Sequence, residues 1–385
     1  MPIDRRKIAV ATTGFCAFLN LYSPQALLPE LAREFSAGPA EMSSVMTASA
    51  AAIALTAPFT GALADVIGRK RVITAAMLAV VIPMGLIALA TSLEGMIVWR
   101  FLQGLLLPPI FAVAIAYVGD EWPTAEVPAV AGLYITGASI GGFAGRFVPG
   151  VLADLIGWRS GFLALAVMSL AGAVVVAAML PRERSFVRSE GLGASVRQML
   201  RHLRNPQLIA TYAIGFGVLF NFIAVFTYVN FHLAAPPYSF SPTLLGTIFV
   251  TYLVGTVISP LTGRAIAAFG RRPFIVGVIA LWAGGALLTL APPIWTIVVG
   301  LILCAACGML AQTISTGYVA ATAKEGRSSA VGLYVTAFYV GGSVGAFLPG
   351  LAWDAAGWPA CVAMIVVMCA LMALIAALAY RGATA

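Results

Sequence analysis

Two arginines, Arg100 and Arg146, stand inside long apolar stretches of the sequence, where charged side chains are rare. A guanidinium is costly to bury in apolar surroundings, so each needs hydrogen-bond acceptors, an opposite charge or a water-filled cavity. Glu30 and Asp154 are the acids that could pair with Arg146, whereas no acidic residue lies near the middle of an apolar stretch. Two buried cations without a central acid favour an anionic or zwitterionic ligand over a cationic one.

Seven uncharged polar residues lie in the same apolar stretches and are further candidates for lining a cavity. They are Asn20, Gln25, Gln103, Ser139, Asn221, Gln312 and Tyr339. For any one of them, a hydrogen bond between helices explains the residue at least as well as a ligand contact does. The sequence contains no phosphate-binding glycine loop, no metal-spaced histidine pair and no nucleophile motif, so no enzymatic activity, cofactor or metal is predicted.

These polar residues are embedded in a strongly apolar chain. Hydrophobic residues make up 61% of the 385 residues and charged residues 9%, against roughly 25% charged residues in a soluble domain. Twelve apolar runs are long enough to cross a bilayer as helices. They lie near 8–32, 42–61, 72–92, 95–118, 128–151, 159–180, 207–232, 242–262, 273–293, 295–318, 329–352 and 358–380. The sequence therefore predicts an all-α polytopic membrane protein with twelve transmembrane helices.

The basic residues predict the orientation in the membrane. With a cytoplasmic N-terminus, 18 of the 22 Lys and Arg residues fall on the cytoplasmic side, as the positive-inside rule requires. Both termini are then cytoplasmic. The net charge of +8 follows from this topology, so nucleic-acid binding is not predicted.

The two halves of the chain repeat each other. Residues 132–158 and 332–358 are identical at 13 of 27 positions, at an offset of 200. Because this offset spans six helices, both copies have the same orientation, which is one architecture of secondary transporters with a substrate site between the halves. The predicted domains are a six-helix bundle at 1–180, a cytoplasmic loop at 181–206 and a second six-helix bundle at 207–385. Within the loop, residues 190–204 suit an amphipathic helix on the inner leaflet, and the alternative is a simple tether.

A charged loop follows the second apolar run and contains Gly61, Asp65, Gly68, Arg69 and Lys70. Its glycines allow a tight turn, and Asp65 at a helix end can hold the basic residues through charge-assisted hydrogen bonds. The alternative is an ordinary basic loop. The second half keeps Gly263, Gly270, Arg271 and Arg272 but has Ala267 in place of the acid.

In this loop the chain resembles the major facilitator superfamily, whose signature is matched by Gly61, Leu63, Asp65, Gly68, Arg69 and Lys70. The resemblance implies that the loop is a conformational gate that holds the outward-open state. It also implies that an acid at the cytoplasmic end of span 4 joins the gate. In this sequence that acid is Asp120 or Glu121. Because Ala267 lacks a carboxylate, only the first half is expected to carry this acidic latch.

Two further segments resemble signatures of the same family. Arg100-Phe-Leu-Gln103-Gly104 resembles the span 4 motif, in which the arginine lines the cavity and is linked to proton coupling. Alternatively, Arg100 reaches the outer interface and only ties its helix to the backbone of span 1. Gly137-Ala-Ser-Ile-Gly141-Gly142 resembles the antiporter motif G-P-x-x-G-G, with Ala138 in place of the proline.

The resemblance covers essentially the whole chain and points to the twelve-span drug:proton antiporters, in particular the YnfM-like branch of sugar- or drug-efflux proteins. It implies a monomeric secondary active transporter of the inner membrane that exports a small organic solute by alternating access, coupled to protons. Two alternatives remain open. One is an importer or facilitator of an organic anion or metabolite, which stays open because Ala138 replaces the proline of the antiporter motif. The other is a non-transporting membrane sensor.

Overall fold

The computed structural model describes residues 4–183, 192–323 and 325–380, and these residues are almost entirely helical with no strand among them. The predicted all-α fold is therefore confirmed. The helices of the first part are α1 (Arg5–Leu21), α2 (Leu28–Glu34), α3 (Pro39–Ile67), α4 (Arg69–Ala79), α5 (Val81–Ala88), α6 (Leu93–Glu121), α7 (Val127–Ile156) and α8 (Trp158–Met179). Those that follow are α9 (Leu192–His202), α10 (Pro206–Ala234), α11 (Pro242–Thr247), α12 (Tyr252–Ile258), α13 (Thr262–Phe269), α14 (Arg271–Leu288), α15 (Ile294–Thr322) and α16 (Arg327–Ala379).

Ten helical segments of the described residues are long and apolar enough to cross a membrane, against the twelve that the sequence predicts. The first predicted span is divided, because α1 stops after 17 residues and a short 3-10 turn at Gln25–Leu27 precedes α2. The last two spans are joined in the 53-residue α16, which is interrupted by non-helical dihedral angles at Ala356 and Gly357. Counting α1 with α2 as one span, and α16 as two, accounts for all twelve.

Glycines at positive φ separate consecutive helices at repeated positions of the two halves. Gly68 (φ 101°) lies between α3 and α4, and Gly270 (φ 79°) lies between α13 and α14. Gly157 (φ 95°) ends α7, and Gly357 (φ 65°) breaks α16 at the corresponding place. Residues other than glycine rarely adopt such φ values, so the internal repeat extends from sequence to backbone conformation.

The described residues form two compact units. The first consists of residues 1–37, 48–192 and 240–249, in which α1 packs on α6, α7 and α8. The second consists of residues 38–47, 193–239 and 250–385, in which α16 packs on α10 and α14. Each unit thus includes one ten-residue segment from the other half of the chain. The predicted division into functional bundles at 1–180 and 207–385 stays a prediction.

Candidate functional site

Arg100 of α6 is fully buried in the first unit and lies against the end of α1. Its guanidinium donates hydrogen bonds to the carbonyl oxygens of Asn20 (3.1 Å) and Leu21 (2.7 Å). It also donates to Ser49 Oγ (2.7 Å) and to the side chain of Gln103. The last carbonyls of an α-helix have no partner within the helix and carry its negative partial charge. Arg100 therefore caps the C-terminus of α1 from a neighbouring helix.

The amide groups of Asn20 and Gln103 extend this buried network. Gln103 Nε2 donates to Asn20 Oδ1 (3.0 Å), and Asn20 Nδ2 donates to Ser169 Oγ of α8 (2.8 Å). These side chains are almost completely buried, so each hydrogen bond offsets a desolvation penalty. Two predicted cavity residues, Asn20 and Gln103, are thus part of a clamp that joins α1, α6 and α8.

The second unit contains a counterpart of this network in which sulfur atoms are the acceptors. Asn221, at the position equivalent to Asn20, donates through Nδ2 to Cys369 Sγ (3.2 Å) and contacts Met372 Sδ (3.7 Å). Cys369 is equivalent to Ser169 at an offset of 200. No arginine stands at the repeat position of Arg100, because offsets of 200 and 201 lead to Gly300 and Leu301. The repeat therefore preserves the asparagine but replaces the cationic clamp by apolar packing.

Arg146 of α7 is 1% exposed, and its guanidinium lies between two aromatic rings. The carbon Cζ is 4.6 Å from the centre of the Tyr22 ring and 4.4 Å from that of Phe249. Its Nε donates to Gln25 Oε1 (2.9 Å), and Nη1 donates to the Gly142 carbonyl oxygen (2.6 Å). The arrangement combines cation–π stacking with an amide acceptor. Of the predicted residues, it brings Gln25 and Arg146 together.

Asp154 and Glu30 are the two acids that the sequence offers as partners of Arg146, and the structure shows the surroundings of each. Asp154 Oδ2 accepts hydrogen bonds from Ser241 Oγ (2.8 Å) and from the backbone N–H of Thr243 (3.0 Å) at the start of α11. Glu30 Oε2 is buried without a hydrogen-bond partner among the described residues. A carboxylate at a helix N-terminus is stabilised by the orphan N–H groups there. Asp154 therefore holds the start of α11 against α7.

The glycines of the antiporter-like segment form the contact between α7 and α1. A Cβ atom on Gly137, Gly141 or Gly145 would overlap the carbonyl oxygen of Ala11, Phe15 or Leu19, respectively. Small residues at four-residue spacing allow two helix backbones to approach closely, as in other membrane helix pairs. Gly341 and Gly345 of α16 meet the carbonyls of Phe216 and Phe220 of α10 in the same way. The motif thus has a packing role in both halves.

The remaining predicted cavity residues are Ser139 in the first unit and Gln312 and Tyr339 in the second. Ser139 is half-buried, and its hydroxyl donates to the carbonyl of Ile135 in the same helix (3.0 Å). Gln312 of α15 is exposed, whereas Tyr339 of α16 is buried with its ring 5.5 Å from that of Phe338. Their roles in binding stay predictions.

The charged loop forms an ion-pair network at the junction of α3 and α4. Arg69 Nη1 is 2.6 Å from Asp120 Oδ2 at the end of α6, and Nη2 is 3.7 Å from Asp65 Oδ1. Of the two acids left open by the sequence, Asp120 is the one that meets Arg69. Glu121 lies instead in the electrostatic surroundings of Arg6. Gly61 is in an open position, with no atom within 4 Å of an added Cβ.

Glu183 completes this loop, and sequence reasoning did not identify it. Its Oε2 accepts a hydrogen bond from the backbone N–H of Lys70 (3.3 Å), and its Oε1 lies where a Cβ on Gly68 would be. A carboxylate at this position satisfies the N-terminus of α4, whose cap residue has no side chain of its own. The sequence signal was the acid in Leu180-Pro-Arg-Glu183 directly after the sixth span, but nothing local indicated its partner.

The second copy of the loop replaces carboxylates by aromatic rings. Arg271, equivalent to Arg69, lies 5.1 Å from the ring centre of Tyr318. Tyr318 in turn stacks on Tyr380, with 4.2 Å between the ring centres. A cation over aromatic rings is held without a titratable acid. That the gate is an acidic latch confined to the first half stays a prediction.

We predict that Asp120 and Glu121 differ sharply in their effect on this loop. Asp120→Asn removes the half-exposed partner of Arg69, an interaction worth about 1 kcal/mol. The backbone amides of residues 69–72 should then exchange with deuterium about fivefold faster, measured by hydrogen exchange with mass spectrometry. The matched variant Glu121→Gln should leave these amides within roughly twofold of the parent. Equal acceleration in both variants would show that Asp120 has no special role.

Apolar helices of membrane-spanning length, packed in repeated pairs through glycines and carrying an ion-paired loop, define a multi-pass membrane transporter. A sequence profile of the Major Facilitator Superfamily matches residues 10–236 and 218–384. The chain therefore belongs to the major facilitator superfamily.

Individual relatives agree with this assignment. The inner membrane transport protein YnfM of Escherichia coli (strain K12) is 32% identical over 381 residues, covering 98% of this chain and 91% of its own. The uncharacterized MFS-type transporter YybF of Bacillus subtilis (strain 168) is 31% identical over 366 residues, covering 94% and 91%. The nucleoside transporter NupG has the same fold, with a TM-score of 0.81 at 14% identity over 97% of this chain and 100% of its own. The predicted resemblance to the YnfM-like branch is thus confirmed.

Proposed function

We propose that this chain is a secondary active transporter of the bacterial inner membrane that exports a small organic solute by alternating access, coupled to protons. Membership of the superfamily and the likeness to an inner membrane transport protein support transport and location. The basic residues support cytoplasmic termini. The sequence has no motif for nucleotide hydrolysis, which favours an ion gradient as the source of energy.

The observation that carries the proposal is the pair of exchanged segments, which begin α3 and α11 at what would be the outer side. In the first unit, Asp154 of α7 accepts from Thr243, and a Cβ on Gly150 would lie 2.5 Å from the carbonyl oxygen of Pro242. In the second unit, a Cβ on Gly350 of α16 would lie 2.6 Å from the Cα of Ala40. Hydrogen bonds join the same segments to α7 and α16, such as that from Thr47 Oγ1 to the Ser343 carbonyl oxygen (3.3 Å). Contacts of this kind between the two halves of the chain suit a seam that opens and closes.

The opposite, cytoplasmic side supplies the second gate that alternating access needs. The Asp65–Arg69–Asp120 network and the Glu183 cap hold α3, α4 and α6 together in the first unit. Partly exposed ion pairs of this kind are individually weak. A gate that they form can therefore be released by the modest free energy of substrate or proton binding.

An organic anion is the substrate class that the buried charges favour. Arg146 lies between Tyr22 and Phe249 in a position that could recognise a carboxylate or phosphate through charge and an adjoining ring. No acid stands near the middle of a span to attract an organic cation. Import is the second candidate, because α7 continues as a regular helix through Ala138, where the export motif has proline.

Everted membrane vesicles distinguish these possibilities. Respiration acidifies the vesicle interior, and a proton-coupled exporter should dissipate this pH gradient, followed with a fluorescent pH probe, when its substrate is added. We expect dissipation by organic anions such as carboxyfluorescein, and not by the permanent cation ethidium. Uptake by right-side-out cells without accumulation in everted vesicles would instead support the importer. Dissipation by ethidium alone would overturn the anion assignment.

A further inference from the structure

The helix α9 in the central loop is attached to the second unit by one face. His202 Nε2 is 3.1 Å from the carbonyl oxygen of Gly326, and Gln198 Oε1 is 3.4 Å from Ser329 Oγ. Gln198 and His202 are four residues apart, so they lie on the same side of the helix. Met199 approaches Gly332 on the neighbouring flank. The helix is therefore docked on the turn at the start of α16.

The opposite face of α9 and the turn that follows it are uncovered and basic. Arg197, Leu200, Arg201, Leu203 and Arg204 are all exposed, with Leu200 at 60% and Leu203 at 47%. Among the residues that the structure describes, none of the three arginines forms an ion pair. Exposed leucines between arginines are unfavourable in water but suit the boundary between lipid headgroups and acyl chains.

The connection to α10 keeps this face close to the membrane. The last residue of α9 is His202, and the membrane-spanning α10 begins at Pro206. Four residues reach at most about 14 Å even when fully extended, and here Leu203, Arg204 and Asn205 continue in helical hydrogen bonds. At a helical rise of about 1.5 Å per residue, Arg201 and Arg204 lie within about one Debye length of the start of α10 at physiological salt, and Arg197 lies within about two.

We propose that Arg197, Leu200, Arg201, Leu203 and Arg204 form a binding surface for anionic phospholipid headgroups of the cytoplasmic leaflet. Clustered arginines next to a membrane span attract anionic lipids electrostatically, and the two leucines enter the interface. The surface lies outside the gates and the substrate candidates described above. It binds lipid whether or not the proposed direction of transport is correct.

The test measures lipid composition next to α9 in the full-length protein. Gln207→Cys, an exposed position at the start of α10 outside the proposed surface, is labelled with a fluorophore, since the five native cysteines are buried. The protein is placed in nanodiscs of phosphatidylcholine with one-quarter phosphatidylglycerol. A quencher is carried on either phosphatidylglycerol or phosphatidylcholine at equal amount. We expect roughly threefold or more quenching from the anionic lipid. This ratio should fall towards one in the variant with Arg197, Arg201 and Arg204 changed to Gln, and in high salt.

A matched control removes positive charge from the same predicted side at another place. Arg264→Gln with Arg272→Gln changes two exposed arginines of the second unit, and it should leave the ratio unchanged. Equal quenching by both lipids in the parent protein would overturn the proposal. So would loss of the ratio in the control pair, because the attraction would then be general. No quenching by either lipid would place the labelled site away from the membrane and would also overturn the proposal. Elution volume in gel filtration checks that each variant is folded.

Discussion

Gly141→Ala is expected to disrupt the contact between α1 and α7 and to lower the melting temperature of the protein by about 1–4 °C. The added Cβ would overlap the carbonyl oxygen of Phe15 and come within 2.7 Å of its Cα. Backbone atoms of a helix cannot rotate away as a side chain can. The two helices must therefore move apart along their length, and overpacking of this kind costs about 1–3 kcal/mol or more.

Gly132→Ala in the same helix is the matched control. No atom lies within 4 Å of a Cβ at Gly132, and alanine has the higher helix propensity, by about 1 kcal/mol. The control should therefore melt at the parent temperature or slightly above it. Fluorescence-detected gel filtration after heating gives both values from small amounts of protein. If Gly141→Ala had the same melting temperature as Gly132→Ala, the inferred close packing of α1 on α7 would be wrong.

The same substitution in the second half tests the repeat. Gly341→Ala would bring its Cβ onto the carbonyl oxygen of Phe216, so it should cause a loss of similar size. An effect confined to Gly141 would mean that the two halves share sequence without sharing this packing. Because the second copy also lacks the first glycine of the motif, with Ala337 at the place of Gly137, this comparison also separates a packing role of the glycines from a transport role.

The sequence was sufficient for features that depend on local pattern. Apolar length predicted the spans, and the repeat predicted equivalent junctions, which Gly157 and Gly357 then occupy. Asp65 and Arg69 are four residues apart on a helix-loop junction, so their proximity could be expected. The division of the first span was signalled only by Pro24, which the apolar run obscured.

The local sequence pattern could not predict the features that depend on tertiary packing. Asp120 and Glu121 are adjacent, and only the rotation of α6 determines which of them meets Arg69. Glu183 caps α4 across 113 residues of sequence. Asn221 and Cys369 could have been paired in advance, because Asn20 and Ser169 stand at offsets of 201 and 200. That inference needed the contact between Asn20 and Ser169 to be known first.

Arg100→Met is expected to lower the melting temperature by about 2–7 °C, because Arg100 is a cap for α1 and not a free charge. Methionine fills a similar volume but leaves the carbonyls of Asn20 and Leu21 without the donors that now reach them. Each buried acceptor that loses its hydrogen bond costs about 1–3 kcal/mol. The melting temperature of Arg100→Lys should lie between those of the parent and Arg100→Met, since an ammonium cannot reproduce the planar guanidinium that reaches two carbonyls and Ser49.

Arg159→Met provides the control, because Arg159 pairs with Glu34 at 3.0 Å while both side chains remain about half exposed. Loss of an exposed ion pair costs about 0–1 kcal/mol, so this variant should melt close to the parent. The experiment also decides between the two roles of Arg100 that the sequence left open. A clamp predicts that the folded fraction of Arg100→Met, once reconstituted, keeps its pH dependence of transport. A charge that carries proton coupling predicts the reverse, with unchanged melting and transport that no longer responds to a pH gradient.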